Sequence, residues 1–301
     1  MGVDVQGLRL LRELRRMGVS FSDTVMLGRQ NYSIYVKPSD MTRTFGITEQ
    51  EAAAALTYRY IEPQLRLLGA SRVESIDKSD YEQASILHDM NQPIPDRLKG
   101  SFSLVFESGT LEHVFNFPQS IKNCMEMVRI GGHFVGITTA NNLMGHGFYQ
   151  FSPELYYRVL SPENGFQVES MWLSETRRGA QWYRVADPQS VGYRVELTNM
   201  RSTYLIVVAR RVTEAEIFKA TPQQSDYVTT WGLANPVSAS TDKAFLAPRK
   251  RGLSGLLAKV LPQPLKETAK EFILGIYSRS AFRSDAYREE GLEPPHREGV
   301  E

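Results

Sequence analysis

Residues 101–136 read SFSLVFESGTLEHVFNFPQSIKNCMEMVRIGGHFVG. Residues 101–108 carry Phe102, Leu104, Val105 and Phe106, a short apolar run of the kind a buried strand needs. The run ends in Glu107-Ser108-Gly109, and the pair Glu112-His113 follows. From residue 118 to 128, Ile121, Cys124, Met125 and Val128 recur three and four apart, as on one face of a helix. Gly131-Gly132 is expected to stop that helix. Residues 133–138 (HFVGIT) then read as a second strand. The unit is strand, helix, strand, with polar residues gathered where the first strand ends. In an open parallel sheet, ligands bind at that end.

The neighbouring stretches extend the pattern. Upstream, residues 23–28 (DTVMLG) and 72–77 (RVESID) read as strands, the second ending in Asp77. Residues 85–91 (SILHDMN) read as a third strand with Asp89 and Met90 at its polar end. Residues 39–69 form a helical insert, well beyond a minimal crossover; Thr48 and Glu51 fit a capping box there. The insert, with Lys37, Asp40 and Arg43, is either a lid over a ligand pocket or a structural elaboration. Before the first strand, Leu8, Leu11 and Leu14 line one face of a helix expected to pack on the domain. Its arginines leave contact with an anionic surface open.

Downstream, residues 139–151 (TANNLMGHGFYQF) leave the ligand side of the sheet and suit a substrate-facing loop. Ser152 caps the next helix, with Pro153 in its first turn. Residues 168–173 and 203–210 read as two further strands, the second apolar enough to be buried on both faces.

Bulk composition excludes several classes. Lys+Arg of 35 against Asp+Glu of 34 leaves a net charge of +1, which argues against a dedicated nucleic-acid binder. The single cysteine, Cys124, forbids an internal disulfide and a cysteine-cluster metal site. No signal peptide or membrane-length apolar run is visible, so a cytoplasmic location is expected. The motifs of a nicotinamide-binding loop, a P-loop and a hydrolase nucleophile elbow are all missing.

Through Leu104-Val105, Leu111-Glu112-His113-Val114 and Gly131-Gly132, residues 101–136 resemble the second half of a class I S-adenosylmethionine-dependent methyltransferase. By order of elements the resemblance spans residues 22–211; its specific part is about 71–166. It implies an α/β fold: a doubly wound, mostly parallel, seven-stranded Rossmann-like sheet with a last antiparallel hairpin formed by residues 168–173 and 203–210. S-adenosylmethionine is the implied cofactor. Gly28, Arg29 and Gln30 would meet its methionine end, Asp77 its ribose, Asp89 its adenine amino group, Met90 its adenine ring, and Ser108, Gly109 and Thr110 its sulfonium side. The first loop departs from the family. Where a glycine-rich run is expected, the chain has Gly28-Arg29-Gln30-Asn31-Tyr32-Ser33. Either Arg29, Gln30 or Asn31 holds the methionine carboxylate, or the site no longer takes the cofactor.

On the acceptor side the resemblance offers His113 as a catalytic base or as a residue that only shapes the pocket. Glu112, Asn141, His146 and Tyr149 are expected to face the substrate. No His-x-x-x-His spacing joins Glu112, His113, His146 and Asp89, so no metal is expected. The implied acceptor is a small molecule, such as a sugar or a lipid-linked precursor. The alternative is a degenerate methyltransferase fold used as a binding or scaffold protein.

The domain plan is therefore a helix in residues 1–20, the α/β domain in 21–212 and a strap in 213–252. Amphipathic helices follow in 253–281 and a disordered tail in 282–301. Those C-terminal helices are candidates for docking on the domain, for homo-oligomer formation or for contact with a membrane surface.

Overall fold

A computed structural model describes residues 2–234 and 287–289. The expected helices of residues 253–281 lie outside them. One nine-stranded sheet organises the chain. Its first five strands are β1 (Asp23–Leu27), β2 (Arg72–Asp77), β3 (Ile86–Leu87), β4 (Phe102–Ser108) and β5 (Val128–Asn141). They are parallel in the order β3-β2-β1-β4-β5. The sheet continues through β6 (Phe166–Glu175), β7 (Trp182–Val185), β8 (Thr203–Arg211) and β9 (Tyr287–Glu289) in the order β8-β6-β7-β9, antiparallel throughout. This is the doubly wound α/β sheet the sequence implied, with the expected hairpin. It has more strands than expected, because Trp182–Val185 and Tyr287–Glu289 extend its antiparallel edge. The latter pairs inside the segment read as a disordered tail.

The core follows from side-chain alternation along these strands. Val25, Leu27, Val105 and Phe134 point into one apolar layer, and Met26, Leu104, Phe106 and Val135 into the other. Every residue of β4 is buried, as a central parallel strand requires. Burying each of its large apolar side chains contributes roughly 1.5–3 kcal/mol.

The first layer is covered by α5 (Phe117–Met127) and α6 (Pro153–Val159). Cys124 is buried there, as core. On the opposite face lies α1 (Val5–Arg16), with Leu8, Leu10, Leu11 and Leu14 buried. The Trp182 indole donates to the Gln6 side-chain oxygen at 2.8 Å and anchors that helix to the sheet edge. The insert folds as α2 (Pro38–Phe45), α3 (Glu49–Tyr58) and α4 (Glu62–Leu67). Thr48 and Glu51 form the capping box at α3. Asp40 of the insert pairs with Arg178, so α2 is fastened to the β6–β7 connection. Two short helices complete the described chain, α7 (Pro188–Val191) and α8 (Ser225–Ala234). The latter falls where a loose strap was expected, and Ser225 is hydrogen bonded to Glu154 of α6. No helix among the described residues is long and apolar enough to cross a membrane.

Two expectations change. The third strand is only Ile86–Leu87, because the chain turns after His88 donates its N–H to Asp77. Gly131-Gly132 does not end α5, which stops at Met127. The pair lies inside β5, where the register against β4 shifts between Phe102 and Leu104. A Cβ on Gly132 would fall 2.8 Å from the Ser103 carbonyl oxygen and 3.1 Å from that of Phe102. The glycines permit a β-bulge pressed onto the central strand. Gly132→Ala is therefore expected to destabilise the domain by roughly 1–3 kcal/mol, since backbone rather than a flexible side chain must give way. Chemical denaturation measures this, and an unchanged midpoint would refute the packing argument.

Candidate functional site

The succession of strands reverses between β1 and β4, which leaves a crevice at their carboxyl ends. Gly28, Asp77 and Thr110 meet there. The Cβ position of Gly28 lies 3.2 Å from Thr110 Oγ1 and 3.8 Å from Asp77 Oδ2. Thr110 donates its hydroxyl to the Leu27 carbonyl at 2.9 Å, tying the ends of β1 and β4 together. Asp77 Oδ1 accepts from the Ser79 N–H at 3.2 Å. Ser108 is buried at the end of β4, and Gly109 turns the chain with φ of 89°.

One residue that the sequence reading passed over shapes this turn. Glu107 is fully buried, and its Oε1 accepts the backbone N–H groups of Thr110 and Leu111. Burial pushes its pKa up despite those donors. The sequence signal was an acidic residue at the end of an otherwise apolar strand.

Asp89 follows β3. Its Oδ1 accepts the Asn91 N–H at 3.0 Å and the Asn91 amide at 2.7 Å, and its Oδ2 lies 3.1 Å from the Lys78 ammonium. These groups, led by the Asn91 backbone, hold its pKa down at about 2, so the carboxylate is ionised and can only accept. Met90 is buried in the core layer beside Ile94 and Leu98.

The residues assigned to the methionine end are engaged elsewhere. Arg29 Nε lies 2.7 Å from Glu62 Oε1, Nη1 reaches the Glu82 carbonyl at 3.0 Å, and the guanidinium sits 4.0 Å from the centroid of the Tyr60 ring. Gln30 is buried and donates its amide to the Leu27 carbonyl at 2.5 Å. Arg29 also borders a groove of about 350 Å³ on the flank of β2, with Glu62, Glu74 and Ser85.

A second group gathers after β4 and β5. The 3₁₀ turn Leu111–His113 presents Glu112 and His113. The loop after β5 brings His146 against them: its ring centroid is 5.0 Å from that of His113, edge-on. His146 Nε2 is 3.6 Å from Glu112 Oε1. That loop is pinned by the Phe148 N–H, which donates to the Glu112 carbonyl at 2.7 Å. Gly147 makes this approach possible. Its φ is +83°, and a Cβ would meet the Glu112 carbonyl oxygen at 2.6 Å.

Glu112 is buried, and its pKa is pushed up to about 8, first by burial and then by the Glu107 carboxylate. The His113 pKa is lowered, first by burial and then by His146, so the ring is neutral at pH 7. Of the other expected substrate residues, Tyr149 donates its hydroxyl to the Phe115 carbonyl at 2.5 Å, and the Asn141 amide donates to Asn199 at 2.8 Å. Both brace the loop. The exposed side chains beside the histidine pair are Phe115, Phe148 and Met144, with the two phenyl rings edge to face at 5.7 Å.

No family model and no curated protein matches the chain. Solved structures do. The N-methyltransferase NodS from Bradyrhizobium japonicum WM9, in complex with S-adenosyl-L-homocysteine, aligns at 14% identity over 69% of this chain and 87% of NodS, with a TM-score of 0.37. An S-adenosylmethionine-dependent methyltransferase from Mesorhizobium loti aligns at 15% identity over 68% of this chain and 96% of its own, with a TM-score of 0.36. The branched-chain polyamine synthase from Thermus thermophilus, in complex with N4-aminopropylspermidine and 5'-methylthioadenosine, aligns at 11% identity over 71% of this chain and 59% of its own, with a TM-score of 0.34.

The turn after β4 is testable by itself. Glu107→Ala leaves two N–H groups without their acceptor and is expected to cost roughly 2–4 kcal/mol. Glu107→Gln keeps an acceptor oxygen and is expected to cost less than half of that. Thermal unfolding of both variants decides it, and equal losses would mean that these hydrogen bonds do not carry the turn.

Proposed function

We propose that the chain binds S-adenosylmethionine in the crevice between β1 and β4 and transfers its methyl group to a small-molecule acceptor held beside His113. The observation that carries this reading is the convergence of Gly28, Asp77 and Thr110 at the point where the strand succession reverses.

The chemistry of the crevice selects among nucleotide ligands. Asp77 and Asp89 stand after adjacent strands, and Asp89 is ionised. Carboxylates there suit ribose hydroxyls and an exocyclic amino group, which donate. They repel a pyrophosphate. Nor does β1 lead straight into a helix whose N-terminus would hold phosphate, since α2 begins only at Pro38. The donor set therefore fits a phosphate-free nucleoside ligand. When bound, S-adenosylmethionine supplies an electrophilic methyl group on a sulfonium.

The chain's own residues bind and orient. Asp77 accepts from the ribose, and Asp89 from the adenine edge. The turn of Ser108, Gly109 and Thr110, fixed by Glu107, borders the sulfonium. Because methyl transfer is an in-line displacement, alignment is the main demand on the protein. His113, neutral and exposed, stands on the acceptor side with a ring nitrogen able to hold an acceptor hydroxyl or its proton. The exposed Phe115, Phe148 and Met144 favour an acceptor with an apolar part, so a lipid-linked precursor is a better match than a bare sugar.

Calorimetric titration with S-adenosylmethionine and S-adenosylhomocysteine tests the reading. Micromolar binding is expected, weakened about tenfold to a hundredfold in Asp77→Ala, the loss of a charge-assisted hydrogen bond or two. No heat from either ligand at millimolar concentration would remove the enzyme and leave a fold without its cofactor.

A further inference from the structure

We propose that Glu112, His113 and His146 form a binding site for one divalent first-row transition cation, of which Zn2+ is the representative. The cation site rests on the geometry of three side chains; only its use in catalysis rests on the methyl-transfer reading.

The ligand atoms of these residues all lie within 4.8 Å of one another. They come from two segments remote in sequence, so no motif announces them. The fold makes the meeting deliberate in three ways. His113 is set by its N–H, which donates to the Thr110 carbonyl at 3.0 Å. His146 is set by its own N–H to the Leu143 carbonyl at 2.9 Å, while the Leu143 N–H is held by Gln150 Oε1 at 2.9 Å. The Phe148 N–H then fastens the loop to Glu112 itself, across a glycine that leaves no room for a side chain. Loop and turn are thus locked at the point where the three side chains meet.

Two facing buried groups without hydrogen-bond partners point to a ligand. Both carboxylate oxygens of Glu112 are buried without a hydrogen-bond partner, on a side chain with 0% exposure. His146 Nε2, the atom facing them, is likewise buried and unpartnered. Buried polar atoms are ordinarily satisfied, so this pair lacks partners that a protein interior normally supplies. The two groups stand 3.6 Å apart, beyond hydrogen-bond range. For metal–ligand bonds of 2.0–2.2 Å, the edge of a tetrahedron is about 3.4 Å. The pair is therefore spaced as ligands of a common ion are, and a ring nitrogen of the exposed His113, within 4.8 Å of both, is the third ligand atom.

Ligand type fixes the class of ion. Two imidazoles and one carboxylate suit zinc, iron, cobalt or nickel, whereas magnesium and calcium take oxygen ligands. Three protein ligands leave at least one position open, the arrangement of a reactive rather than a structural centre. An oxygen of an incoming acceptor is a suitable ligand for the open position.

The test uses the full chain, stripped with a chelator and titrated with Zn2+ by calorimetry and with Co2+ by visible absorption. One ion per chain is expected, with cobalt d–d bands of a mixed nitrogen and oxygen site. Affinity should fall at least tenfold in His146→Ala and in Glu112→Gln, and Asp77→Ala should leave it unchanged. His146→Ala alters a loop side chain, so the test survives if Glu112→Gln fails to fold. Absence of stoichiometric binding overturns the proposal. So does wild-type affinity in a His113→Ala/His146→Ala double variant, which would mean an ion held elsewhere. S-adenosylmethionine titration of stripped and zinc-loaded protein separates the two readings: cofactor binding without zinc binding ends this proposal alone, and zinc binding without cofactor binding ends the other.

Discussion

The buried carboxylate of Glu107 is the constraint on which both halves of the site depend. It sits at the end of the strand that is buried from one end to the other, between β1 and β5. A parallel strand must shed its direction at its carboxyl end without leaving backbone N–H groups dry. Glu107 does this by taking the N–H groups of Thr110 and Leu111 onto one oxygen. The turn so formed aims the Thr110 hydroxyl back at β1 and delivers Glu112 and His113 to the far side. A crevice on one flank and a histidine cluster on the other are two consequences of a single local satisfaction of hydrogen bonds.

Most of the sheet was legible because burial on both faces leaves a strong mark. DTVML, FSLVF and TYLIVVA are apolar runs with no other economical place to go. The elements that escaped are those whose sequences carry mixed signals. Trp182–Val185 buries only its first and last residues, so it lacks the continuous run of the inner strands and the strict alternation of an edge strand. The Gly131-Gly132 pair has two physical uses, ending a helix or admitting a close backbone, and only the position of Phe102 and Ser103 decides between them. Local sequence does not carry that information.

The site divides in the same way. Gly28, Asp77, Asp89 and Thr110 could be singled out because each lies at or within two residues of a strand's carboxyl end, and strand ends converge by construction in a doubly wound sheet. Arg29 was not: its charge suggested a ligand carboxylate, but Glu62 of the insert, far along the chain, takes the guanidinium. Glu112, His113 and His146 could be grouped from the sequence on the ligand side of the sheet, but their contact could not be read from it. It depends on the path of one loop, fixed by a backbone hydrogen bond to Glu112 and by the absence of a side chain at Gly147. Spacing along a helix carries no information about side chains that tertiary structure brings together.

The energetics argue that this cluster is kept for a purpose. Glu107 and Glu112 are both fully buried, and the Glu107 carboxylate raises the cost of ionising Glu112 beyond what burial imposes. With its pKa pushed up to about 8, Glu112 is held as the neutral acid at pH 7, the usual response of a carboxyl group in such surroundings. Glu107 recovers part of the cost of burial through its N–H donors. Neither side-chain oxygen of Glu112 has a hydrogen-bond partner of normal geometry among the described residues, and an apolar side chain of similar size would pack the same position at less cost. Strongly perturbed groups of this kind concentrate where chemistry is done. Glu112 and the two histidines beside it are therefore the part of the site that packing alone does not explain.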